Sequence, residues 1–382
     1  MAGTLVMDAK ITIVHGATII DADGARPNGW MVAVDGVVRA TGSGDGWRAH
    51  PEAGKAAVTD AAGAILAQGF LDLHTHGGGG AVAEEGAEAM LRARAAHRAH
   101  GTTRALVSFV SNPLDSLVRG LAHVRAAMEG DPSILGAHLE GPFLAPGRRG
   151  AHAAEYLLEP TAAAVAELIA AGEGVLRQVT IAPELPGALD AAERFVDAGV
   201  VVAIGHTECS AATARLAFDR GASLMTHLFN AMPPVHHREP GPALAALLDE
   251  RVTVELIVDG THLHPDMVAM AFALAPGRVA LITDAMAAAG VGDGAYRLGD
   301  LGVTVSRGVA TVTGTDTIAG STLTQDVALR NSVAAGVPVD AAIAALTSTP
   351  ERVLGLPEWR LRPGVRADLV LVDQATGVVR PL

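Results

Sequence analysis

Apolar and polar positions follow two different patterns along the chain. In the first 60 residues, short β-branched runs such as Ile11–Val14 and Met31–Val34 are separated by the turn dipeptides Asp23–Gly24 and Asp35–Gly36. β-Branched residues favour strands, and an Asp-Gly dipeptide between two such runs is typical of a hairpin. This part of the chain is therefore predicted to form a small β-structure.

From residue 70 onward, apolar runs alternate with alanine-rich segments whose apolar residues recur at helical spacing. Eight runs are predicted to be strands: Phe70–His76, Arg104–Val110, Ile134–Glu140, Val175–Ala182, Val200–His206, Ser223–Leu228, Val252–Val258 and Val279–Asp284. Helices are predicted between them at 83–100, 114–129, 161–171, 188–198, 210–220 and 265–275. Eight strand–helix units predict an α/β fold, a TIM-like (β/α)8 barrel.

The end of the chain returns to β-structure. A hairpin is predicted from Tyr296 to Val312, followed by helices at 322–335 and 339–346 and a strand at Arg366–Asp373. Because this last strand has little of its own to pack on, we expect it to join the N-terminal strands. The predicted domains are a composite small β-sandwich of residues 1–65 and 355–382 and a catalytic barrel of residues 66–354.

The composition is that of a globular protein with a well-buried core. The 382 residues are 49% hydrophobic and 18% charged, which suffices for one large barrel and a small accessory domain. The formal net charge of -13 argues against nucleic acids and anionic membrane surfaces as partners. It does not exclude an anionic small substrate, because a local arginine can outweigh the average field.

The number of cysteines and the N-terminal sequence indicate in which cellular compartment the protein is expected. Cys209 is the only cysteine, which excludes an intramolecular disulfide and a cysteine-based metal cluster and fits a reducing cytoplasm. Residues Met1–Asp8 lack the basic stretch and apolar core of a signal peptide. No run of about 18 uncharged apolar residues occurs, so a membrane-spanning helix is not expected. We therefore expect a cytoplasmic protein.

Residues with metal-binding side chains are concentrated where the predicted strands end. Barrel enzymes place their active sites at these carboxyl ends, and imidazole and carboxylate groups are natural ligands of Zn²⁺ and similar ions. A single histidine at a strand end is more often structural, but several ligands in the right order predict a metal site. The residues are His74, His76, Glu140, His206 and His227, with Asp284 as the candidate acid–base group, although alone it could be a helix cap.

The segment Phe70–His76 ends in His-x-His and resembles the first metal-binding strand of metal-dependent hydrolase barrels. Its two histidines alternate with Thr75 and so point the same way. Many such barrels bridge two metal ions with a carboxylated lysine on a later strand. Lys10 and Lys55 are the only lysines and both precede this segment, which excludes that chemistry and leaves Glu140 as the alternative ligand.

Over nearly its whole length the chain resembles the N-acetylglucosamine-6-phosphate deacetylase family of the amidohydrolase superfamily. The motifs that carry this resemblance are His138-Leu-Glu-Gly-Pro-Phe143, Ala182-Pro-Glu184, Gly205-His-Thr207, Thr226-His-Leu-Phe-Asn-Ala-Met232, Arg238-Glu-Pro-Gly241, Val258-Asp-Gly-Thr-His262, Ile282-Thr-Asp-Ala285 and Ala319-Gly-Ser-Thr-Leu-Thr324.

The resemblance implies a divalent metal held by Glu140, His206 and His227. Members of the family differ at the first strand, and this chain keeps His74 and His76, which permits a second ion with Glu140 as the bridge. One or two ions per subunit are therefore expected. Zn²⁺ is the first expectation, while Fe²⁺, Mn²⁺, Co²⁺ and Cd²⁺ stay open because such a site binds all of them.

The resemblance also implies the reaction, which is hydrolysis of the acetamide of N-acetylglucosamine 6-phosphate to glucosamine 6-phosphate and acetate. This reaction belongs to amino-sugar catabolism and cell-wall sugar recycling. Asp284 would take a proton from the attacking water and pass it to the leaving amine. His152 would contact the acetamide carbonyl, although alone it could be an exposed loop histidine.

Substrate contacts are implied for the sugar phosphate. Arg238 matches the phosphate-binding arginine, although alone it could be a surface residue, and His262, Asn230 and Ala231 match further substrate contacts. In the family, the counterparts of Arg238 and His262 are partly supplied across a dimer interface. A homodimer with shared active sites is therefore expected, with a small amino-sugar phosphate as the ligand.

Three other functions stay open at this point. Gly205-His-Thr-Glu208 superficially suggests a deaminase, and an N-acyl amino acid deacylase is a second amidohydrolase alternative, although the family motifs argue against both. A preference for phosphorylated substrates would separate them from the deacetylase. A catalytically inactive barrel that binds sugar phosphates is a third alternative, which the presence of Asp284 disfavours.

Overall fold

The computed structural model describes residues 9–382, and the N-terminal residues Met1–Asp8, on which no signal peptide was predicted, lie outside this range. The chain divides into two compact units. One comprises the residues up to Gly69 together with Pro357–Leu382, and the other comprises Phe70–Leu356. The exact domain boundaries given above stay a prediction. None of the helices in the described range is long and apolar enough to cross a membrane.

Residues 9–382 form twenty strands and ten α-helices. The strands are β1 (Ile11–Asp21), β2 (Gly24–Val34), β3 (Val37–Ser43), β4 (Ala57–Asp60), β5 (Ile65–Gln68), β6 (Phe70–Asp72), β7 (Gly77–Gly78), β8 (Ala81–Val82), β9 (Thr102–Phe109), β10 (Ile134–Glu140), β11 (Leu176–Ile181), β12 (Val201–Ile204), β13 (Leu224–Met225), β14 (Thr253–Ile257), β15 (Val279–Ile282), β16 (Gly294–Leu298), β17 (Leu301–Ser306), β18 (Val309–Val312), β19 (Leu369–Val372) and β20 (Val379–Pro381). The helices are α1 (Ala87–Arg98), α2 (Leu114–Gly130), α3 (Ala162–Ala171), α4 (Ala188–Asp197), α5 (Ala211–Asp219), α6 (Gly241–Leu248), α7 (Pro265–Leu274), α8 (Gln325–Ala334), α9 (Val339–Leu346) and α10 (Ser348–Val353).

The larger unit is the predicted barrel. Its eight strands are hydrogen-bonded in the order β15-β14-β13-β12-β11-β10-β9-β6, with every neighbouring pair parallel. An isolated parallel bridge between Thr75 and Ala285 joins the chain beyond the first strand to the chain beyond the last. All eight predicted strands are confirmed, and their carboxyl ends lie on the same side of the sheet.

Two helices were not predicted from the sequence. Helix α6 begins at the pair Gly241–Pro242, which suggests a loop when only the sequence is considered. Proline is nevertheless well tolerated in the first turn, where its missing N–H has no helical partner. The same reason accounts for α10, a single short helix with Pro350 in its first turn.

The predicted hairpin after the barrel is part of a larger sheet. Strands β16, β17 and β18 form an antiparallel meander in which Leu298 pairs with Leu301 and Ser306 pairs with Val309. The predicted bounds, Tyr296 to Val312, therefore enclose three strands rather than two. The short turn at Gly299–Asp300 was missed because its flanking runs are only a few residues long.

The smaller unit is a seven-stranded sheet built from both chain ends. β19 pairs antiparallel with β5, which confirms that the C-terminal strand joins the N-terminal ones. Val14 and Met31 pack on one side of the sheet, whereas Ile13 and Val32 pack on the other. A bridge between Val37 and Arg366 links the edge strand β3 to the segment that leads into β19, so the sheet curls around its core.

Candidate active site

Glu140 lies at the centre of a group of histidines at the carboxyl ends of the barrel strands. It is the last residue of β10, and its side chain is buried. Its Oε1 lies 3.0 Å from His206 Nε2 and 3.0 Å from His227 Nε2. Its Oε2 lies 3.2 Å from His76 Nε2 and 3.5 Å from His74 Nε2. The two carboxylate oxygens therefore face two different histidine pairs.

Asp284 completes the second of these groups. Its Oδ1 lies 3.1 Å from His76 Nε2 and 3.4 Å from His74 Nε2. One ligand atom from each of His74, His76, Glu140 and Asp284 lies within 4.8 Å of the others. Nitrogen and carboxylate oxygen atoms converging over so short a range suit a divalent cation with N/O ligands, so the residues fit the expected metal.

The local backbone explains why these side chains converge. His74 and His76 alternate with Thr75 after β6, so both face the barrel axis. His206, His227 and Asp284 all have positive φ angles, of 46°, 26° and 48°. Such values are uncommon for residues with a Cβ and cluster at functional sites, where the surrounding structure has to maintain them.

The hydrogen bonds of the second ring nitrogens assign the tautomers. His206 Nδ1 lies 2.8 Å from the Arg148 carbonyl oxygen, which can only accept, so Nδ1 carries the proton and the Nε2 lone pair faces Glu140. His152 is the reverse case. Its Nδ1 accepts the backbone N–H of Ser111 at 3.0 Å, so Nε2 carries the proton and points 3.3 Å from Glu140 Oε2.

The charges in the cluster shift the titration of its members. Burial disfavours the charged form of His76, but hydrogen bonds to Asp284 and Glu140 outweigh it and raise its pKa to about 9. Burial lowers the pKa of His152 to about 4 despite the nearby Glu140 carboxylate. Burial raises the pKa of Asp284, yet the charge of His74 and the hydrogen bond from His76 bring it below its usual range.

Below the cluster, the barrel interior carries polar residues that the sequence analysis did not assign. Asp72 Oδ1 accepts the backbone N–H groups of His74 and Thr283 at 3.2 Å each, and its Oδ2 accepts the Thr283 hydroxyl at 2.6 Å. His138 contacts Ser108 Oγ at 3.0 Å, and its ring centroid lies 4.5 Å from that of His74. These contacts hold the backbone at His74 and pack against its ring.

Glu255 is a further buried carboxylate that was missed. It is fully buried in β14, with Oε1 accepting from Gln178 Nε2 at 3.0 Å. Its Oε2 lies 3.6 Å from His74 Nδ1 and 3.4 Å from the His227 backbone nitrogen. The alternation of strand positions could have revealed Asp72 and His138, which share a face with His74 and Glu140, but Glu255 resembles an ordinary mid-strand residue.

A cavity of about 300 Å³ opens above the cluster, at the lower end of the range typical of small-molecule sites. Both metal-ligand candidates and predicted substrate-contacting residues line it. They are His76, Glu140, His152, His206, His227, Asn230, Ala231, His262 and Asp284. His74 lies fully buried behind His76. The structure therefore brings together nearly all of the predicted site residues.

Two predicted substrate contacts have local partners. His262 Nδ1 lies 2.8 Å from Asp259 Oδ2, and the Asn230 amide donates to the carbonyl oxygens of His227 and Leu228 at 3.2 Å each. Burial alone would lower the pKa of His262, but its hydrogen bond to Asp259 raises it. Asn230 thus braces the loop after β13, from which Ala231 reaches the cavity.

Arg238 is the predicted residue that the structure does not bring to the cavity of its own chain. It lies exposed in the loop before α6, and its Nη1 contacts His237 Nε2 at 2.8 Å. His236 and His237 are exposed as well. Cys209 is buried and does not line the cavity, and burial raises the pKa of its thiol to about 12.

Comparison with known proteins places this site in a family. The model of the amidohydrolase family matches residues 65–381. The N-acetylgalactosamine-6-phosphate deacetylase of Escherichia coli O157:H7 is 38% identical over 328 residues, which cover 84% of this chain and 87% of that protein. The N-acetylglucosamine-6-phosphate deacetylase of Bos taurus is 34% identical over 337 residues, which cover 84% of this chain and 82% of that protein.

Solved structures agree with this result. A mutant N-acetyl-D-glucosamine-6-phosphate deacetylase from Mycobacterium smegmatis, in complex with N-acetyl-D-glucosamine-6-phosphate, is 41% identical, has a TM-score of 0.89 and covers 97% of both chains. The N-acetylglucosamine-6-phosphate deacetylase from Thermotoga maritima is 29% identical, with a TM-score of 0.84 over 96% of both chains. The resemblance seen in the motifs is thus confirmed, and the chain belongs to the amidohydrolase family.

Proposed function

We propose that the protein hydrolyses the acetamide of N-acetyl-D-glucosamine 6-phosphate to D-glucosamine 6-phosphate and acetate. The observation that carries the proposal is the position of Glu140 between two histidine pairs, beside Asp284 and below one cavity. The deacetylase relatives support the same reaction. They do not favour the deaminase and deacylase alternatives.

The metal site of this proposal consists of Glu140, His206 and His227, with His74 and His76 available for a second ion. A bound divalent cation, Zn²⁺ first among the candidates, supplies a nucleophilic water at neutral pH and polarises the substrate carbonyl. Below the ligands, Asp72 accepts the backbone N–H of His74, and Glu255 Oε2 lies 3.6 Å from His74 Nδ1. Such outer contacts orient imidazoles and raise their basicity.

Asp284 moves the proton in this proposal. An aspartate is a carboxylate at neutral pH, so Asp284 can accept a proton from the attacking water and return it to the leaving amine. Its backbone is held on both sides, since its N–H donates to His74 O at 2.9 Å and its carbonyl accepts from the Ser321 N–H at 2.7 Å. The carboxylate is therefore positioned before the substrate arrives.

His152 contributes a hydrogen-bond donor. Because the Ser111 N–H occupies Nδ1 of His152, the ring proton lies on Nε2, which faces the cavity. Burial keeps the His152 ring neutral. A neutral N–H fixed at this position can donate to the acetamide oxygen as negative charge develops on it. His262 and the loop of Asn230 and Ala231 would contact the sugar on the opposite wall.

We propose further that the protein is a cytoplasmic homodimer. Arg238 is exposed and lies outside the cavity of its own chain, which suits a residue that reaches the phosphate in the partner's site. A bidentate arginine–phosphate contact would fit this role. The mass of the protein in solution, measured by light scattering, tests the dimer.

N-acetyl-D-galactosamine 6-phosphate is the second candidate substrate. The Escherichia coli relative, 38% identical, carries that name, and the two sugars differ only in the orientation of one hydroxyl. Both reactions use the same acetamide chemistry, so the metal, Asp284 and His152 serve either. The choice depends on the contacts that surround the sugar ring.

The test is amine release by the purified, metal-analysed protein. N-acetylglucosamine 6-phosphate, its galactosamine epimer and unphosphorylated N-acetylglucosamine are compared side by side. We expect turnover of the phosphorylated glucosamine derivative and little turnover of the unphosphorylated sugar. Faster turnover of the galactosamine derivative would replace the first substrate with the second. Failure of all three by the metal-loaded protein would refute the deacetylase proposal.

A further inference from the structure

The cavity contains one side chain with a permanent positive charge. Among residues 9–382, Arg148 is the only arginine or lysine that lines it. The protein as a whole is acidic, with a formal net charge of -13, so an anionic ligand needs a local cation at the site. Arg148 played no part in the sequence-based assignment.

Arg148 is held next to the metal-ligand cluster by its backbone. It ends the 3₁₀ turn Pro146–Arg148 that follows β10, and its N–H donates to Ala145 O at 2.9 Å. Its carbonyl accepts the Nδ1–H of His206 at 2.8 Å. The neighbouring Ala145 N–H donates in turn to His206 O at 2.9 Å. The loop is thus anchored to a residue of the site itself.

The positive charge of the Arg148 guanidinium has no carboxylate partner among residues 9–382. Its Nε is buried and has no hydrogen-bond partner among residues 9–382, and no carboxylate in that range forms an ion pair with it. An unsatisfied buried donor on a charged group is unfavourable unless a ligand satisfies it. An anion in the cavity would provide the missing acceptor.

The other cationic candidates near the cavity are engaged or lie elsewhere. His262 lines the cavity, but Asp259 compensates its charge at 2.8 Å. Arg149 is exposed and its Nη1 donates to His152 O at 2.9 Å. Arg238 contacts His237 outside the cavity. Among residues 9–382, Arg148 is therefore the one arginine or lysine that is placed to meet an anion in the cavity.

We propose that Arg148 binds the phosphate group of the substrate from within the same chain and sets the preference for phosphorylated amino sugars. The inference rests on the proposed deacetylase function, whose substrate carries one dianionic group. The planar guanidinium matches phosphate geometry and donates two parallel hydrogen bonds. An arginine from a partner subunit would then add to this contact rather than replace it.

The first test compares wild type with Arg148→Met, which keeps most of the side-chain stem, and with Arg148→Lys, which keeps the charge. For N-acetylglucosamine 6-phosphate, Arg148→Met should lower kcat/KM by about 10- to 100-fold, mainly through KM, because a charge-assisted hydrogen bond is lost. Arg148→Lys should recover part of the loss. The low kcat/KM for unphosphorylated N-acetylglucosamine should fall by a much smaller factor, because that sugar has no phosphate to lose. Arg215→Met, an exposed arginine on α5, is the matched control.

The second test measures binding without turnover. Calorimetry compares the affinity for glucosamine 6-phosphate with that for glucosamine, and the ratio isolates the phosphate contribution. Wild type should bind glucosamine 6-phosphate more tightly than glucosamine, and Arg148→Met should reduce this ratio of affinities by about 10- to 100-fold. The melting temperature and the metal content should stay unchanged. If wild type proves inactive but Arg148→Met still shows this loss of affinity, deacetylation is refuted and the contact between Arg148 and phosphate is supported. An active wild type whose ratio is unaffected by Arg148→Met, or equal losses with both sugars, would overturn the inference alone.

Discussion

The backbone N–H of Ser111 donates a hydrogen bond to Nδ1 of His152 at 3.0 Å. Because an N–H can only donate, this contact makes Nδ1 an acceptor and leaves the ring proton on Nε2, at the cavity. A main-chain group thus selects the tautomer of a candidate catalytic side chain. The consequence is a neutral donor in the place where the acetamide oxygen is proposed to bind.

His152→Ala should remove that donor and lower kcat by about 10²- to 10³-fold, as measured for other donors to a developing oxyanion. His152→Gln should retain more activity, because its amide nitrogen can occupy a position near that of Nε2. Steady-state kinetics at saturating metal measure both variants. His123→Ala, outside the cavity, serves as the control. Equal activity of His152→Ala and wild type would remove His152 from the reaction.

Asp284→Asn should keep the fold while abolishing most of the turnover. General acid–base groups contribute about 10²- to 10⁴-fold, and an amide cannot accept the proton that Asp284 is proposed to carry. The measurement is kcat together with circular dichroism and metal content. Asp266→Asn, an exposed aspartate in the first turn of α7, should leave kcat unchanged. Retained turnover in Asp284→Asn would require another proton carrier.

The ligand cluster could be predicted because its residues end consecutive strands of one barrel. In a barrel those ends share one rim, so His74, Glu140 and Asp284 could be placed together without coordinates. The absence of lysine after Lys55 directed attention to Glu140. The positions of these residues at the strand ends therefore sufficed to predict most of the site.

Other features depend on contacts that a sequence does not display. Arg148 lies in a loop, and only the folded structure, in which its carbonyl accepts from His206, places it at the cavity. Glu255 sits in the middle of a strand, where its burial beneath His74 is a property of the closed barrel. Helix α6 starts at a Gly-Pro pair that suggests a loop in the sequence, although proline is well tolerated in the first turn of a helix.

Glu255→Gln should weaken metal binding rather than abolish the chemistry. The carboxylate approaches His74 Nδ1 at 3.6 Å, and outer groups that orient imidazole ligands typically contribute about 10- to 100-fold in metal affinity. Competition with a chromophoric chelator measures that affinity. Glu250→Gln, an exposed change just before β14, is the matched control. Unchanged metal affinity with a lower melting temperature would mean that Glu255 serves only the barrel core.

The smaller unit is stabilised by an acidic residue that joins its two chain segments. The fully shielded Asp21 side chain accepts from Arg26 Nη1 and Nη2 at 2.8 and 2.7 Å and from the Leu361 N–H at 2.9 Å. Burial raises the pKa of Asp21, but the Arg26 hydrogen bond and the backbone N–H groups outweigh it and bring the pKa below 3.8.

Asp21→Asn should therefore destabilise the smaller unit at pH 7 by roughly 1–3 kcal/mol, because a paired and buried carboxylate is replaced. A folded-state pKa below the unfolded value of 3.8 gives stability that is complete above pH 3.8 and declines as the pH falls through the folded value. The difference between wild type and Asp21→Asn in urea unfolding should thus shrink at pH 3. Asp45→Asn, an exposed change in the same unit, should show no such difference at either pH. A difference that stays constant down to pH 3 would show that Asp21 acts through its shape and not its charge.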